Sequence, residues 1–196
     1  GGANNVLNEV SKIKSDYVKS AYISLLLEKN LSTNEMVTTI KSVGKYIKSD
    51  HYVSKILKGN QKAFLKNNKT ITAYIEPTKS IDSDHYVTSV LKKVIEDKTI
   101  TDLQLGSLLE ITKGISSDHY LSQLLKSIME NRTLNDENMA KILSLTKDIK
   151  SDHYRTSILK KALKNKYLST EAYNQFLSYV NDIKSDHYTS SIISEL

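Results

Sequence analysis

Ser49-Asp50-His51-Tyr52 recurs at 83–86, 117–120, 151–154 and 185–188, each copy 34 residues after the one before. A degraded sixth copy, Ser15-Asp16-Tyr17-Val18, lies one period upstream. An isoleucine stands two residues ahead of every copy: Ile13, Ile47, Ile81, Ile115, Ile149 and Ile183. No insertion or deletion disturbs the spacing. A fixed period of this length marks a stacked repeat array rather than a globule of one or two domains.

Downstream of each copy, apolar residues keep helical spacing, as in Tyr120, Leu124, Leu125 and Ile128. A Ser or Asp immediately before such a run is a helix N-cap signal, because its side-chain oxygen accepts an orphan backbone N–H. A second helix follows in each period. Its start is announced by capping boxes at Ser32-Thr33-Asn34-Glu35 and Thr101-Asp102-Leu103-Gln104, and by Asn135 and Ser169 as caps. Its apolar face is carried by Ile40, Ile71 and Tyr74, Leu105 and Leu108, Ile142 and Leu143, and Phe176.

The predicted fold is therefore all-α: a superhelical αα-hairpin solenoid of 34-residue repeats, of HEAT or tetratricopeptide character. The whole of 1–196 reads as a single array. It opens with a partial repeat at 1–12, a lone second helix. Five full units follow at 13–46, 47–80, 81–114, 115–148 and 149–182. A partial repeat at 183–196, a lone first helix, ends it. Neither end carries a polar outer cap, so both invite further repeats or self-association.

Unit 47–80 departs from the others. Gly59-Asn60-Gln61 replaces the usual residues and the apolar set moves to Ala63, Phe64 and Leu65, while Pro77 falls inside the second helix. The reading is a locally irregular unit with a kink at the proline.

Composition agrees. Six glycines and one proline in 196 residues favour helix, and 39% hydrophobic with 26% charged residues suits a folded chain. No apolar run approaches the roughly 20 residues of a membrane span. The absence of cysteine removes disulfides and thiolate metal sites and leaves the compartment open. A net charge of +6 admits an acidic partner without requiring one.

The recurring residues form three ladders. Asp16, Asp50, Asp84, Asp118, Asp152 and Asp186 suit helix N-termini, as caps and by their charge. His51, His85, His119, His153 and His187 are placed to donate to the aspartate or a carbonyl of the next unit. Tyr52, Tyr86, Tyr120, Tyr154 and Tyr188 add apolar area with a hydroxyl at the rim. A metal role for the histidines is disfavoured. Adjacent helices lie about 8–10 Å apart, too far for two rings to share one ion at about 2 Å. No cofactor is implied. Catalysis is not expected either, since a catalytic constellation is one unique spot rather than six equivalent ones. Lys58, Lys92, Lys126 and Lys160 make a basic stripe that could track a polyanion.

The unit Ile-Lys-Ser-Asp-His-Tyr-x-x-x-Ile-Leu resembles the Ile-x-Ser-Asp-Tyr-x-x-x-x-Val-Leu repeats of bacterial HEAT-like arrays, from Ile13 to the C-terminus. Such arrays occur in Bacteroidetes proteins, some carrying an M56-type peptidase domain. Histidine at 51, 85, 119, 153 and 187 departs from that pattern, whereas Tyr17 keeps it. The resemblance implies a helical interaction or sensor region and no catalytic residue here. The expected function is a non-catalytic scaffold for a protein or peptide partner, with its surface at Lys19, Val53, Val87, Leu121, Arg155 and Thr189. The alternative is a nucleic-acid or polyanion binder working through the lysine stripe.

Overall fold

A computed structural model describes residues 2–164 and 168–196. The fold is an all-α stack of helical hairpins, with no strand among the described residues. The chain divides into two compact units, Gly1–Val94 and Ile95–Leu196.

The first unit holds α1 (Ala3–Lys12), α2 (Asp16–Leu27), α3 (Thr33–Tyr46), α4 (Asp50–Gly59), the single turn α5 (Gln61–Phe64), α6 (Asn68–Lys79) and α7 (Asp84–Ile95). Two layers result. In one, α2 lies beside α4; in the other, α3 lies between α1 and α6. Ile23, Ile40, Val43, Ile56, Leu57 and Tyr74 fill the space between the layers and are at most 2% exposed. Each such side chain contributes about 1.5–3 kcal/mol by leaving water.

The second unit repeats the plan. It contains α8 (Asp102–Thr112), α9 (Asp118–Asn131), α10 (Asp136–Leu145) with a 3-10 turn at Thr146–Asp148, α11 (Asp152–Leu163), α12 (Thr170–Asn181) and α13 (Asp186–Ile193). One layer runs α8, α10, α12 and the other α9, α11, α13. Leu124, Leu125, Ile142, Leu143, Ile158, Leu159 and Phe176 are fully buried between them.

Helix starts follow the capping signals. Ser32 with Glu35 and Thr101 with Gln104 close reciprocal boxes, and Asn135 and Ser169 accept the N–H of Asn138 and Ala172. Asn67 with Thr70 forms a further box, which the sequence reading missed. It starts α6 in register with the second helices of the other repeats. The irregularity of 47–80 is therefore confined to the link between its two helices. There α4 stops at Gly59, α5 turns once, and Phe64 and Leu65 drop into the core. The kink expected at Pro77 does not break the helix: α6 continues two residues beyond it, to Lys79. Pro77 has no N–H to give the carbonyl of Ala73, so one helical bond is absent there.

At Gly44, α3 and α6 approach closely. A Cβ there would lie 2.8 Å from the Pro77 Cα and 2.9 Å from the Ser80 Oγ.

Tyr74 is fully buried beside Phe64, with ring centroids 6.0 Å apart, and its hydroxyl has no hydrogen-bond partner among the described residues. Burial drives the phenol's pKa far up. A buried unpaired hydroxyl costs about 1–3 kcal/mol. Tyr74→Phe is therefore expected to stabilise the chain by about 1 kcal/mol. A urea titration that places the variant's midpoint below the wild type would refute this.

Candidate functional site

Several of the recurring polar residues bond to the neighbouring repeat. The aspartate is the first residue of its helix, but its carboxylate does not cap that helix. It accepts backbone N–H groups from the turn one repeat later. Asp16 Oδ2 takes the Lys48 and Ser49 amides, both at 2.8 Å. Asp50 takes Ser83 at 2.8 Å and Asp82 at 3.3 Å. Asp118 takes Ser151 at 2.8 Å and Lys150 at 3.1 Å, and Asp152 takes Ser185 at 3.2 Å. Where a side chain caps the helix, it is the preceding serine. Ser15 and Ser117 accept from Val18 and Tyr120, while Ser49, Ser151 and Ser185 hold the cap position without a side-chain bond.

Asp16 shows the electrostatic consequence. Burial raises its pKa, but the Lys48 amide, the Lys19 ammonium and the Ser49 amide outweigh burial and hold it below the usual carboxylate value. Lys19 also donates to the Tyr46 carbonyl at 2.6 Å, placing its charge at the negative end of α3.

The histidine expectation is corrected in its partner. The rings of His51, His119 and His153 reach the tyrosine of the next repeat. His51 Nδ1 lies 3.4 Å from Tyr86 Oη and His119 Nδ1 lies 3.3 Å from Tyr154 Oη. His153 meets Tyr188 edge-on with centroids 6.1 Å apart. Each ring also stands edge-on to its own tyrosine, His85 on Tyr86 and His187 on Tyr188 among them, and Tyr17 packs on Tyr52. All five histidines are exposed. Among the described residues, no group of three or more His, Asp or Glu side chains is placed to hold a metal ion.

The lysine stripe is half-buried throughout. Lys58 donates to Ser89 Oγ at 2.8 Å, Lys126 to Ser157 Oγ at 3.0 Å, and Lys160 pairs with Glu195 at 2.9 Å. At least these three bridge one repeat to the next.

The proposed variable surface is also corrected. Val53, Val87 and Leu121 are at most 6% exposed, inside the hairpins. Lys19 and Arg155 occupy the same register and lay their cations against carbonyls. Arg155 donates to Ile149 at 2.7 Å, Asp182 at 3.1 Å and Thr146 at 3.2 Å. Side chains that vary here adjust the fit between the two helices of a unit.

Accessible recesses lie instead on the face made by α1, α3 and α6. One cavity of about 570 Å³ is floored by Leu7 and Pro77 and edged by Asn4, Asn8 and Lys45. A second, of about 580 Å³, is floored by Val37 and Ile75 and edged by Asn34, Lys69 and Lys79. Lys41 and Glu76 line both, paired at 3.0 Å across the seam between α3 and α6. Lysines therefore outnumber carboxylates four to one along these two cavities. Sequence reasoning passed over these residues. The signal available was Lys45, Lys79, Lys113 and Lys147, one period apart. In the second unit a smaller recess between α10 and α12 is edged by Asp136, Glu137 and Glu171, the opposite charge.

No helix among the described residues is long and apolar enough to cross a membrane. In comparisons with known protein families, curated proteins and solved structures, nothing matches the chain.

Proposed function

We propose that the chain is a non-catalytic interaction scaffold whose partner is a protein or peptide. The observation that carries this reading is the division of labour among its polar residues. Those of the Ser-Asp-His-Tyr turn and of the Lys58 series are largely engaged with neighbouring repeats: aspartates with backbone amides, lysines with serines, histidines with tyrosines. The recessed surface of the first unit is lined by residues that mostly do not recur. A stacked array presents such a surface on rigid helices, which suits recognition of an extended segment. The similarity of the repeat unit to bacterial HEAT-like arrays points the same way.

The test is a saturable binding screen, with the immobilised chain panned against a random dodecapeptide library. Enrichment of related sequences supports the reading. A folded chain that enriches none overturns it.

A second reading is favoured by the charge distribution. Residues 1–94 carry 15 Lys and Arg against 8 Asp and Glu, whereas 95–196 carry 13 against 14. A basic first unit would hold a polyanion through counterion release. That reading requires single-stranded RNA or duplex DNA to bind at 50 mM salt, with affinity falling about tenfold or more by 200 mM. Flat anisotropy at the lower salt removes it.

A further inference from the structure

We infer that the α1, α3, α6 face is a docking groove for an acidic, extended peptide carrying apolar side chains between its carboxylates. This rests on the scaffold reading and names its site and ligand class.

Three observations converge on it. The two cavities are consecutive along α3 and share the Lys41–Glu76 pair, so one ligand can cross from one to the other. Their floors are apolar, with Leu7 and Pro77 under the first and Val37 and Ile75 under the second. Such floors accept aliphatic side chains and give no reward to a phosphate. Their rims carry Lys41, Lys45, Lys69 and Lys79 against the single carboxylate of Glu76. The side-chain amides of Asn4, Asn8 and Asn34 stand beside these lysines, each offering a donor and an acceptor to a peptide backbone.

The Lys41–Glu76 pair does not close the groove. Its two side chains are 52% and 63% exposed, and such a surface pair is weak. A ligand carboxylate can take Lys41 in exchange. A polynucleotide fits less well. The one aromatic on the rim, Tyr46, is half-buried under the Lys45 ammonium, 5.3 Å from its ring centre, and presents no open face for a base.

The test uses fluorescence anisotropy with a labelled dodecapeptide of alternating Glu and Leu. The Lys41→Gln/Lys45→Gln/Lys79→Gln variant removes three rim charges at exposed positions. Lys55→Gln, exposed on α4 and away from the groove, is the control. The Glu-Leu peptide is expected to bind the wild type saturably and the Lys55→Gln variant equally well, and to bind the triple variant at least tenfold more weakly. A Lys-Leu peptide of the same length is expected not to bind. Undiminished binding to the triple variant overturns the inference. So does a twelve-nucleotide RNA that binds the wild type while the Glu-Leu peptide does not. The library panning separates the two levels. Peptides enriched equally by wild type and triple variant sink the groove and leave the scaffold standing, whereas no enrichment at all sinks both.

Discussion

Gly44→Val is expected to destabilise the chain by about 3 kcal/mol, the cost of forcing bulk into a closed contact. The nearest atom to a new Cβ is backbone, the Pro77 Cα at 2.8 Å, and the Cβ of the same proline ring lies at 3.2 Å. Neither can swing aside, so α3 and α6 must separate. That separation would open the seam that both cavities share. Gly59→Ala provides the opposite sign. A Cβ at Gly59 meets nothing within 4 Å and its φ is not in the left-handed region, so a gain of about 0.5–1 kcal/mol is expected from the reduced freedom of the unfolded chain. Urea midpoints of the two variants, measured beside the wild type, check both. If Gly44→Val unfolds at the wild-type midpoint, the close approach is not a constraint.

Asp118→Ala is expected to cost about 2–3 kcal/mol. The loss leaves the Lys150 and Ser151 amides without their anionic acceptor and removes a negative charge from the start of α9. Asp186 supplies the internal control. It holds the same place at the start of α13 and has no hydrogen-bond partner among the described residues, so Asp186→Ala is expected to lose only the helix-end charge, about 0.3–1 kcal/mol. Equal losses at 118 and 186 would mean that the inter-repeat bond contributes nothing. Asp118→Asn is expected to recover less than half of the loss. Its single carbonyl oxygen can accept, but its NH₂ would face an amide donor.

Acid should act on the same link. Asp16 binds its proton less readily in the folded chain than the ordinary carboxylate, so its contribution is present above about pH 4. It is lost as the pH falls through the lower folded value. Asp16→Ala is accordingly expected to narrow its deficit against wild type below that range, in urea midpoints taken from pH 7 to pH 2.5.

What could be read from the residues alone follows from where each interaction closes. Helix starts close within three residues, so Ser32 with Glu35 and Thr101 with Gln104 were legible. The core positions were legible because 3.6-residue periodicity and the 34-residue period coincide at Leu124 and Leu125, or Ile158 and Leu159. The aspartate was misread because it sits beside a serine in a local cap pattern, while its true partners lie 32 and 33 residues away. Val53, Val87 and Leu121 were misplaced because variability was equated with exposure. In the structure they are buried, and at the equivalent position of their own repeats Lys19 and Arg155 reach carbonyls instead. Gly44 carries no local mark at all, since its constraint is written in the backbone of Pro77. Of the groove lysines, Lys45 and Lys79 belong to a second series as regular as that of Lys58, whereas Lys41 and Lys69 belong to none.

The carboxylate of each repeat grips main-chain amides, which every residue except proline supplies. The coupling between neighbours is therefore blind to side-chain identity at the gripped positions. Excising 47–80 in register would bring Asp16 against the amides of Asp82 and Ser83 in place of Lys48 and Ser49. Whole cassettes can thus be gained, lost or shuffled without rewriting the joint, and only a proline at the gripped pair would jam it.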